Sequence, residues 1–204
     1  MLYTATVAPD TLGLLKDLMQ KPYLQGFNLV GGTSLSLQIG HRISVDLDMF
    51  CTEPFESTEL KSQLADDYPE LQVVMERTNA LICIINQVKV DFIRFKYGFL
   101  YPMIFENKIR LANIKDIASM KLDAISGRGK KKDFFDLYFL LKQFSLPELL
   151  ALYQAKYHHT TIFHVIKSIN FFEEAEEEID PVVIDKKVSW IKVKKTINKE
   201  IQKL

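Results

Sequence analysis

Only two cysteines occur among the 204 residues, Cys51 and Cys83, and neither has a neighbour at Cys-x-x-Cys spacing. Two such residues cannot build a disulfide framework, a zinc site resting on them is not expected, and a reducing compartment is the simplest reading. Excess charge is missing too. Lys plus Arg is 26 and Asp plus Glu is 26, which argues against a basic nucleic-acid coat or an acidic tail protein while leaving room for a local basic patch. No apolar run nears the ~20 residues of a membrane span; residues 134–141 come closest and are broken by Asp136. The first 19 residues are interrupted by Asp10, Lys16 and Asp17, so they lack the plan of a secretory leader. A cytoplasmic protein with no membrane partner is expected. What remains is ordinary globular composition, 48% hydrophobic and 25% charged, enough for one domain of usual size or two small lobes.

The first ~100 residues alternate helical and strand patterns. Residues 9–19 read as a helix with Pro9 near its start and Leu12, Leu15, Leu18 and Met19 on one stripe. A short apolar run at 27–30 ends at Gly31-Gly32, and 33–39 reads as a short helix stopped by Gly40. Residues 44–50 alternate, with Val45, Leu47 and Met49 facing one way and Ser44, Asp46 and Asp48 the other, the pattern of a strand with one wet face. Residues 56–66 read as a helix. Three Val- and Ile-rich runs at 71–76, 80–86 and 88–95 suggest an antiparallel meander. Beyond Tyr101-Pro102 the character changes: 115–126, 133–143, 146–157, 160–172 and 185–204 all read as helices, the last following an acidic stretch at 173–180. The expected fold is α/β, a small mixed β-sheet core with flanking helices over 1–110, then an α-helical lobe over 111–204 that completes a cleft.

The strongest chemical signal is Gly31-Gly32-Thr33-Ser34 followed by Asp46-Leu47-Asp48. Carboxylates two apart on a strand project from one face. Adjacent carboxylates repel, so the pair suits a divalent cation; Mg²⁺ takes oxygen ligands and completes its shell with waters and substrate phosphates. Asp91, in a later strand-like run, offers a third acid. Three converging carboxylates could hold two metals ~3.5–4 Å apart, as in-line nucleotidyl displacement uses. The glycines supply a tight turn before a helix whose unpaired N–H groups attract anions. Thr33 and Ser34 could add donors, and the expected anion is a triphosphate. Arg42 could contact phosphate or pair with an acid.

In the helical half, Lys121 falls on the apolar stripe formed by Ile114, Ile117, Ala118 and Ile125, where a charge needs a partner or an anionic ligand. Asp133 and Asp136 share a helical face, and Asp136 is set among Phe134, Phe135, Leu137 and Tyr138. An ion pair tying two helices and a phosphate-reaching lysine oriented by Asp136 are compatible readings. Arg128 opens a run of four positive charges in five residues that could take an RNA backbone.

The order of strand, Gly-Gly, helix, Asp-x-Asp and later strand Asp resembles the nucleotidyltransferase superfamily related to DNA polymerase beta. The string Val30-Gly31-Gly32-Thr33-Ser34-Leu35-Ser36-Leu37 with Gly40-His41-Arg42-Ile43-Ser44-Val45-Asp46-Leu47-Asp48 is similar, more narrowly, to the AbiEii/AbiGii toxin family. So is the block of Ala118, Lys121, Ala124, Arg128, Lys132, Asp133, Asp136, Leu137 and Tyr138, with Lys132 standing where many relatives carry arginine. The resemblance covers roughly residues 27–142. It implies a toxin of a toxin–antitoxin or phage abortive-infection system that transfers nucleotides from an NTP, in some relatives to tRNA 3′ ends, with a cognate antitoxin. It further implies Mg²⁺ or Mn²⁺ at Asp46, Asp48 and Asp91, a phosphate cradle at Gly31, Gly32, Thr33 and Ser34 with Arg42 and Arg128, and catalytic help from Lys121 and Asp136. A module that binds nucleotide or RNA without catalysis, or a pure interaction protein, is the alternative.

Overall fold

The computed structural model describes residues 1–158 and 161–204. The chain divides into two compact units, Met1–Gly40 with Ser44–Asn113, and His41–Ile43 with Ile114–Leu204.

The first unit contains helix α1 (Pro9–Leu18), strand β1 (Asn28–Val30), helix α2 (Gly31–Ile39), strand β2 (Leu47–Cys51) and helix α3 (Ser57–Asp67). Strands β3 (Gln72–Arg77), β4 (Ala80–Ile85), β5 (Val88–Arg94), β6 (Ile104–Glu106) and β7 (Ile109–Leu111) follow. All seven strands form one sheet in the order β3-β4-β5-β2-β1-β7-β6. The pairs β2–β5 and β1–β7 are parallel and the others antiparallel. The expected meander is therefore present as β3-β4-β5. Its β4–β5 turn places Asn86 and Gln87 both in the left-handed region, at φ 48° and 65°, the two-residue geometry whose twist matches the flanking strands.

Alternation sets the core. Leu81, Cys83, Ile85, Val90, Phe92, Leu47 and Met49 are buried together with Leu14, Leu15 and Leu18 of α1 and Leu60 and Leu64 of α3. Both cysteines are free and buried inside this layer. Burial pushes the Cys51 thiol up to about 11 and the Cys83 thiol up to about 12, so they are packing residues. The remaining strand positions, Asp48, Phe50, Ile82, Ile84, Asp91 and Ile93, lie on the other face and are half-buried.

Two details of this unit differ from the sequence expectation. The strand expected at 44–50 starts only at Leu47, and Val45 is 59% exposed instead of facing the core. Ser44 forms an isolated parallel bridge with Val7, and the Thr33 hydroxyl donates to the Asp46 carbonyl, so the backbone is drawn aside before it enters the sheet. The β6–β7 hairpin was not foreseen. Its strands have three residues each, and its turn uses Asn107 and Lys108 at positive φ.

The second unit contains α4 (Ile114–Arg128), α5 (Lys131–Leu140), α6 (Leu146–Lys156), α7 (Ile162–Ile169) and α8 (Trp190–Ile201). The helix expected from 160 begins at Ile162 among the described residues; Thr160, and with it His159, lies outside them. Ser145 and Glu148 form a capping box at the start of α6. Every residue of α5 from Asp133 to Leu140 is buried. Phe134, Phe135 and Phe172 surround Trp190, which stacks on Phe135 at 5.8 Å and donates its indole N–H to Glu176 at 3.0 Å. The buried stripe of α8 is Trp190, Val193 and Ile197, while Ile191 is 75% exposed. That helix starts at Trp190 and not at 185 because Ser189 caps it, accepting from the Lys192 amide at 3.4 Å. The acidic stretch closes on the start of α5. Lys131 is buried and donates to the Glu176 and Glu178 carbonyls, and its amide donates to the Glu178 carboxylate at 2.7 Å; negative charge there complements the helix dipole. Residues His41–Ile43 add a short extended segment to this unit: Ile43 N–H donates to the Val182 carbonyl and Ile184 N–H to the His41 carbonyl, at 2.8 and 2.9 Å. No described helix is long and apolar enough to cross a membrane.

Candidate active site

In the first unit the sheet order explains how distant motifs meet. β1 ends at Val30, so the glycine turn lies at its C-terminal end. The antiparallel partner β2 places Asp48 opposite Val30. On the other side of β2, the parallel partner β5 places Asp91 directly opposite Asp48. Residues in register on neighbouring strands share a face at a spacing of ~4.8 Å, and both aspartates oppose the buried row of Leu47, Met49, Val90 and Phe92.

The approach of Asp48 to the turn is unusually close. A Cβ placed on Gly31 would stand 1.9 Å from Asp48 Oδ2 and 2.7 Å from its Cγ. Gly31 also holds φ +66°, a left-handed conformation that L side chains disfavour. Glycine is thus required twice over, by backbone and by space. The carboxylate rests over the first residue of α2, whose N-cap Val30 offers no side-chain hydrogen bond. Leading amides of a helix are the groups that receive anions.

Thr33 and Ser34 are buried, at 1% and 0% exposure. The Thr33 hydroxyl holds the Asp46 carbonyl and stands 2.8 Å from Ser44 Oγ; Ser34 Oγ accepts from Gln38 Nε2 at 3.1 Å. These hydroxyls lock the turn and do not open onto solvent. Asp46 precedes β2 and so does not share the strand alternation of Asp48. Among the described residues no three His, Cys, Asp or Glu side chains converge as a metal-binding group; the three-carboxylate convergence expected from the sequence reduces to the registered pair of Asp48 and Asp91. That pair still suits one cation. Both Asp91 oxygens accept from Lys89 Nζ, at 2.6 and 2.7 Å, so an ammonium already occupies a cation position on this carboxylate. Two carboxylates plus substrate phosphates are a usual Mg²⁺ donor set. Lys89 was missed from the sequence, although two residues before Asp91 on a strand puts it on the same face.

The second unit gathers the other candidate residues into one buried network. Asp136 is fully buried and accepts from His41 Nε2 at 2.7 Å, from Arg42 Nε at 2.6 Å and Arg42 Nη2 at 3.0 Å, and pairs with Lys121 Nζ at 2.5 Å. Lys121 Nζ also donates to Asp133 at 2.8 Å, and Arg128 Nε reaches the other Asp133 oxygen at 3.2 Å. The hydrogen-bond reach expected between Lys121 and Asp136 is present. The Lys121 side chain is only 5% exposed, however, and its charge is taken up by two aspartates. Arg42 is 4% exposed and bidentate on Asp136, so of its two readings the acid pair is the one seen. Arg128, 52% exposed at the side chain, is the cation of this group most open to solvent.

The electrostatics agree. Burial pushes the Asp136 carboxyl up, but the Arg42 and Lys121 charges and the His41 hydrogen bond outweigh it and hold it well below the ordinary range. Burial likewise opposes Asp133, and Lys121 and Arg128 bring it below its ordinary value. Burial disfavours the Lys121 cation, yet Asp136 and Asp133 raise its pKa. For His41 burial wins and its pKa falls, despite Asp136. A neutral His41 facing an ionised carboxylate must carry its proton on Nε2, which leaves Nδ1 as a buried acceptor without a hydrogen-bond partner among the described residues.

A family profile described as the nucleotidyl transferase AbiEii toxin of type IV toxin–antitoxin systems matches residues 13–103 and 100–198. The chain belongs to the AbiEii nucleotidyl transferase toxin family. An uncharacterised protein of Aquifex aeolicus (strain VF5) is 36% identical over 159 residues, covering 75% of this chain and 77% of that protein. Among solved structures, the nucleotidyltransferase toxin MenT4 of Mycobacterium tuberculosis H37Rv shares the fold at TM-score 0.57 and 15% identity, over 100% of this chain and 90% of that one. JHP933 of Helicobacter pylori does so at TM-score 0.51 and 16% identity, over 97% and 94%. The AbiEii assignment spans both units. It therefore joins the glycine–aspartate face and the buried helical network in one family pattern.

Proposed function

We propose that the protein transfers a nucleoside monophosphate from an NTP to an RNA acceptor, tRNA foremost, with a divalent cation, Mg²⁺ or Mn²⁺, and serves as the toxin of a toxin–antitoxin or abortive-infection pair controlled by a cognate antitoxin. A protein hydroxyl is the alternative acceptor for the same chemistry. The observation that supports this best is the Asp48 carboxylate lying over the Gly31 turn with Asp91 in register beside it.

Asp48 and Asp91 would hold the cation, which would supply charge neutralisation for the triphosphate. The Gly31 and Gly32 amides at the start of α2 bind phosphate oxygen and orient the α-phosphorus. Asp91 accepts the proton of the acceptor hydroxyl. The acceptor oxygen forms a bond to the α-phosphorus, the bond to the bridging oxygen breaks, and pyrophosphate leaves. Lys121, Asp136 and Arg42 act at one remove, by fixing the His41–Ile43 segment against α4 and α5. Arg128 remains available for an RNA phosphate.

Incubation with total tRNA, Mg²⁺ and each labelled NTP in turn should label RNA. Asp48→Ala should lower the rate by at least ~10²-fold, the scale for losing one preorganised charge contact, with an unchanged melting curve. Equal labelling by Asp48→Ala would refute the site. A non-catalytic nucleotide- or RNA-binding module is the second reading, favoured by the Lys89 ammonium seated on Asp91; it corresponds to NTP binding without transfer.

A further inference from the structure

The first unit carries a surface that the proposed reaction does not use. β5 passes Asp91 and ends at Arg94, and the chain continues as Phe95-Lys96-Tyr97-Gly98-Phe99-Leu100. Cations and aromatics alternate here. Arg94, Lys96, Tyr97 and Leu100 are exposed, Tyr97 at 43% and Leu100 at 44%. Gly98 holds φ +68° with nothing within 4 Å of a built Cβ, and its amide donates to the Phe95 carbonyl at 3.3 Å, so the segment turns sharply, with the Tyr97 ring exposed and those of Phe95 and Phe99 half-buried.

The rings connect to the aspartates. Phe95 N–H donates to the Cys51 carbonyl at 2.6 Å, which extends the β2–β5 pairing. The Phe95 ring packs on Phe50 at 6.0 Å, on Tyr97 at 5.7 Å and on Phe99 at 5.6 Å. Phe50 lies two residues beyond Asp48 on β2, hence on the same sheet face. Lys96 Nζ stands 5.2 Å from the Tyr97 ring centroid, a cation–π geometry. An aromatic track thus leaves the Asp48–Asp91 pair along one sheet face and ends in an exposed turn bearing two cations.

We infer that this track, Phe50, Phe95, Tyr97 and Phe99 with Arg94 and Lys96, is a stacking platform for single-stranded RNA, along which the acceptor strand leads its reactive end to Asp91. Stacking on rings with interleaved cations for the backbone is the chemistry that holds unpaired bases with little sequence preference. A protein-docking core, by contrast, is depleted of lysine. The inference rests on the nucleotidyl-transfer reading for the identity of the acceptor, but the platform itself can be read without chemistry.

The test is fluorescence anisotropy of a labelled 12-nucleotide single-stranded RNA of mixed sequence, and of its duplex, with the 204-residue chain and neither NTP nor metal. The single strand should bind more tightly than the duplex. Tyr97→Ala should weaken it about tenfold, the scale of one lost stacked base, while Tyr97→Phe retains it. Lys96→Gln should lower the salt dependence by about 0.7 in log–log slope, the value for one phosphate contact on a single strand. In the transfer assay Tyr97→Ala should raise the KM for RNA and leave that for NTP unchanged. Unchanged binding by Tyr97→Ala would overturn the platform, as would duplex binding equal to that of the single strand. So would a dimer that Tyr97→Ala dissociates in a chain that binds no RNA, which would make the track a protein interface. Platform binding without any nucleotide transfer would sink the proposed function and leave this inference standing. Asp48-dependent transfer with an unmoved RNA KM would do the reverse.

Discussion

Asp133 and Asp136 are fully buried, and between them they engage Lys121, Arg42, His41 and Arg128. Asp48 and Asp91 are only half-buried, on a sheet face beside a glycine turn, and the cation on Asp91 is the solvent-exposed Lys89. Both pairs sit in the family's matching segments, yet their surroundings differ in kind. Carboxylates compensated inside the protein have little left to offer a ligand. Carboxylates held by strand register and backed by helix amides can exchange an ammonium for another cation. Residues that look equally chemical in the sequence thus divide into a scaffold and a proposed site.

Removing one member of each pair is the sharpest way to break this comparison. Asp136→Ala leaves Lys121 and Arg42 buried with too few counter-charges, which should cost about 3–5 kcal/mol and appear as a large fall in the denaturant midpoint. Asp48→Ala should leave that midpoint nearly unmoved. Equal destabilisation by the two variants would erase the distinction between scaffold and site.

Gly31→Ala comes next. The left-handed backbone alone costs ~1–2 kcal/mol, and the new methyl must displace the Asp48 carboxylate. Nucleotide transfer should therefore fall further than thermal stability does. A Gly31→Ala variant that keeps full activity would show that Asp48 does not work from its place over the turn.

The helical network also sets a pH dependence. His41 has a lowered pKa in the fold, so below its ordinary value of 6.5 the unfolded chain binds the extra proton and stability declines. The lowered Asp133 and Asp136 contribute stability that is present above the ordinary carboxylate value of 3.8 and is lost as pH falls through their folded values. The raised Lys121 contributes below 10.5, and that contribution is lost as pH rises through its folded value. The buried Cys51 and Cys83 thiols, raised by burial above their ordinary value of 9.0, add a loss that begins above pH 9, so melting temperature should plateau between about pH 6.5 and 9 and fall on both sides. His41→Gln should flatten the first acid step.

Arg128→Ala is the mildest change. Its pair with Asp133 is half in solvent, so the loss should stay within about 1 kcal/mol, read as a small shift in melting temperature. A larger loss would move Arg128 from the ligand-facing group into the scaffold.

Much of the first unit was legible because strand alternation is a strict rule. The faces of Asp48, Asp91 and the meander all follow from period-two patterning. Asp46 escaped it because the Thr33 hydroxyl and the Ser44 bridge redirect the backbone before Leu47, and no local pattern encodes a bond to a residue 13 positions away. Lys121 on an apolar stripe correctly announced a buried charge needing a partner, and the i, i+3 spacing of Asp133 and Asp136 pointed to it. That His41 joins the cage, and that Asp136 is the acid Arg42 pairs with, could not be read, since they lie 95 and 94 residues from Asp136 and carry no periodic signal. The β6–β7 hairpin was missed because three-residue strands are too short for alternation to stand out.

The placement of His41–Ile43 in the helical unit bears on how the chain is made. During synthesis these three residues leave the ribosome before α4 and α5 have been made to receive them, and they must wait until the chain has lengthened past Asp136. A truncated polypeptide running from Ile114 to Leu204 would have to bury the Asp136 carboxylate without its guanidinium, and the short extended segment at Val182–Ile184 would lose its hydrogen-bonded neighbour. Autonomous production of that fragment should fail, and supplying the N-terminal piece in trans should rescue it.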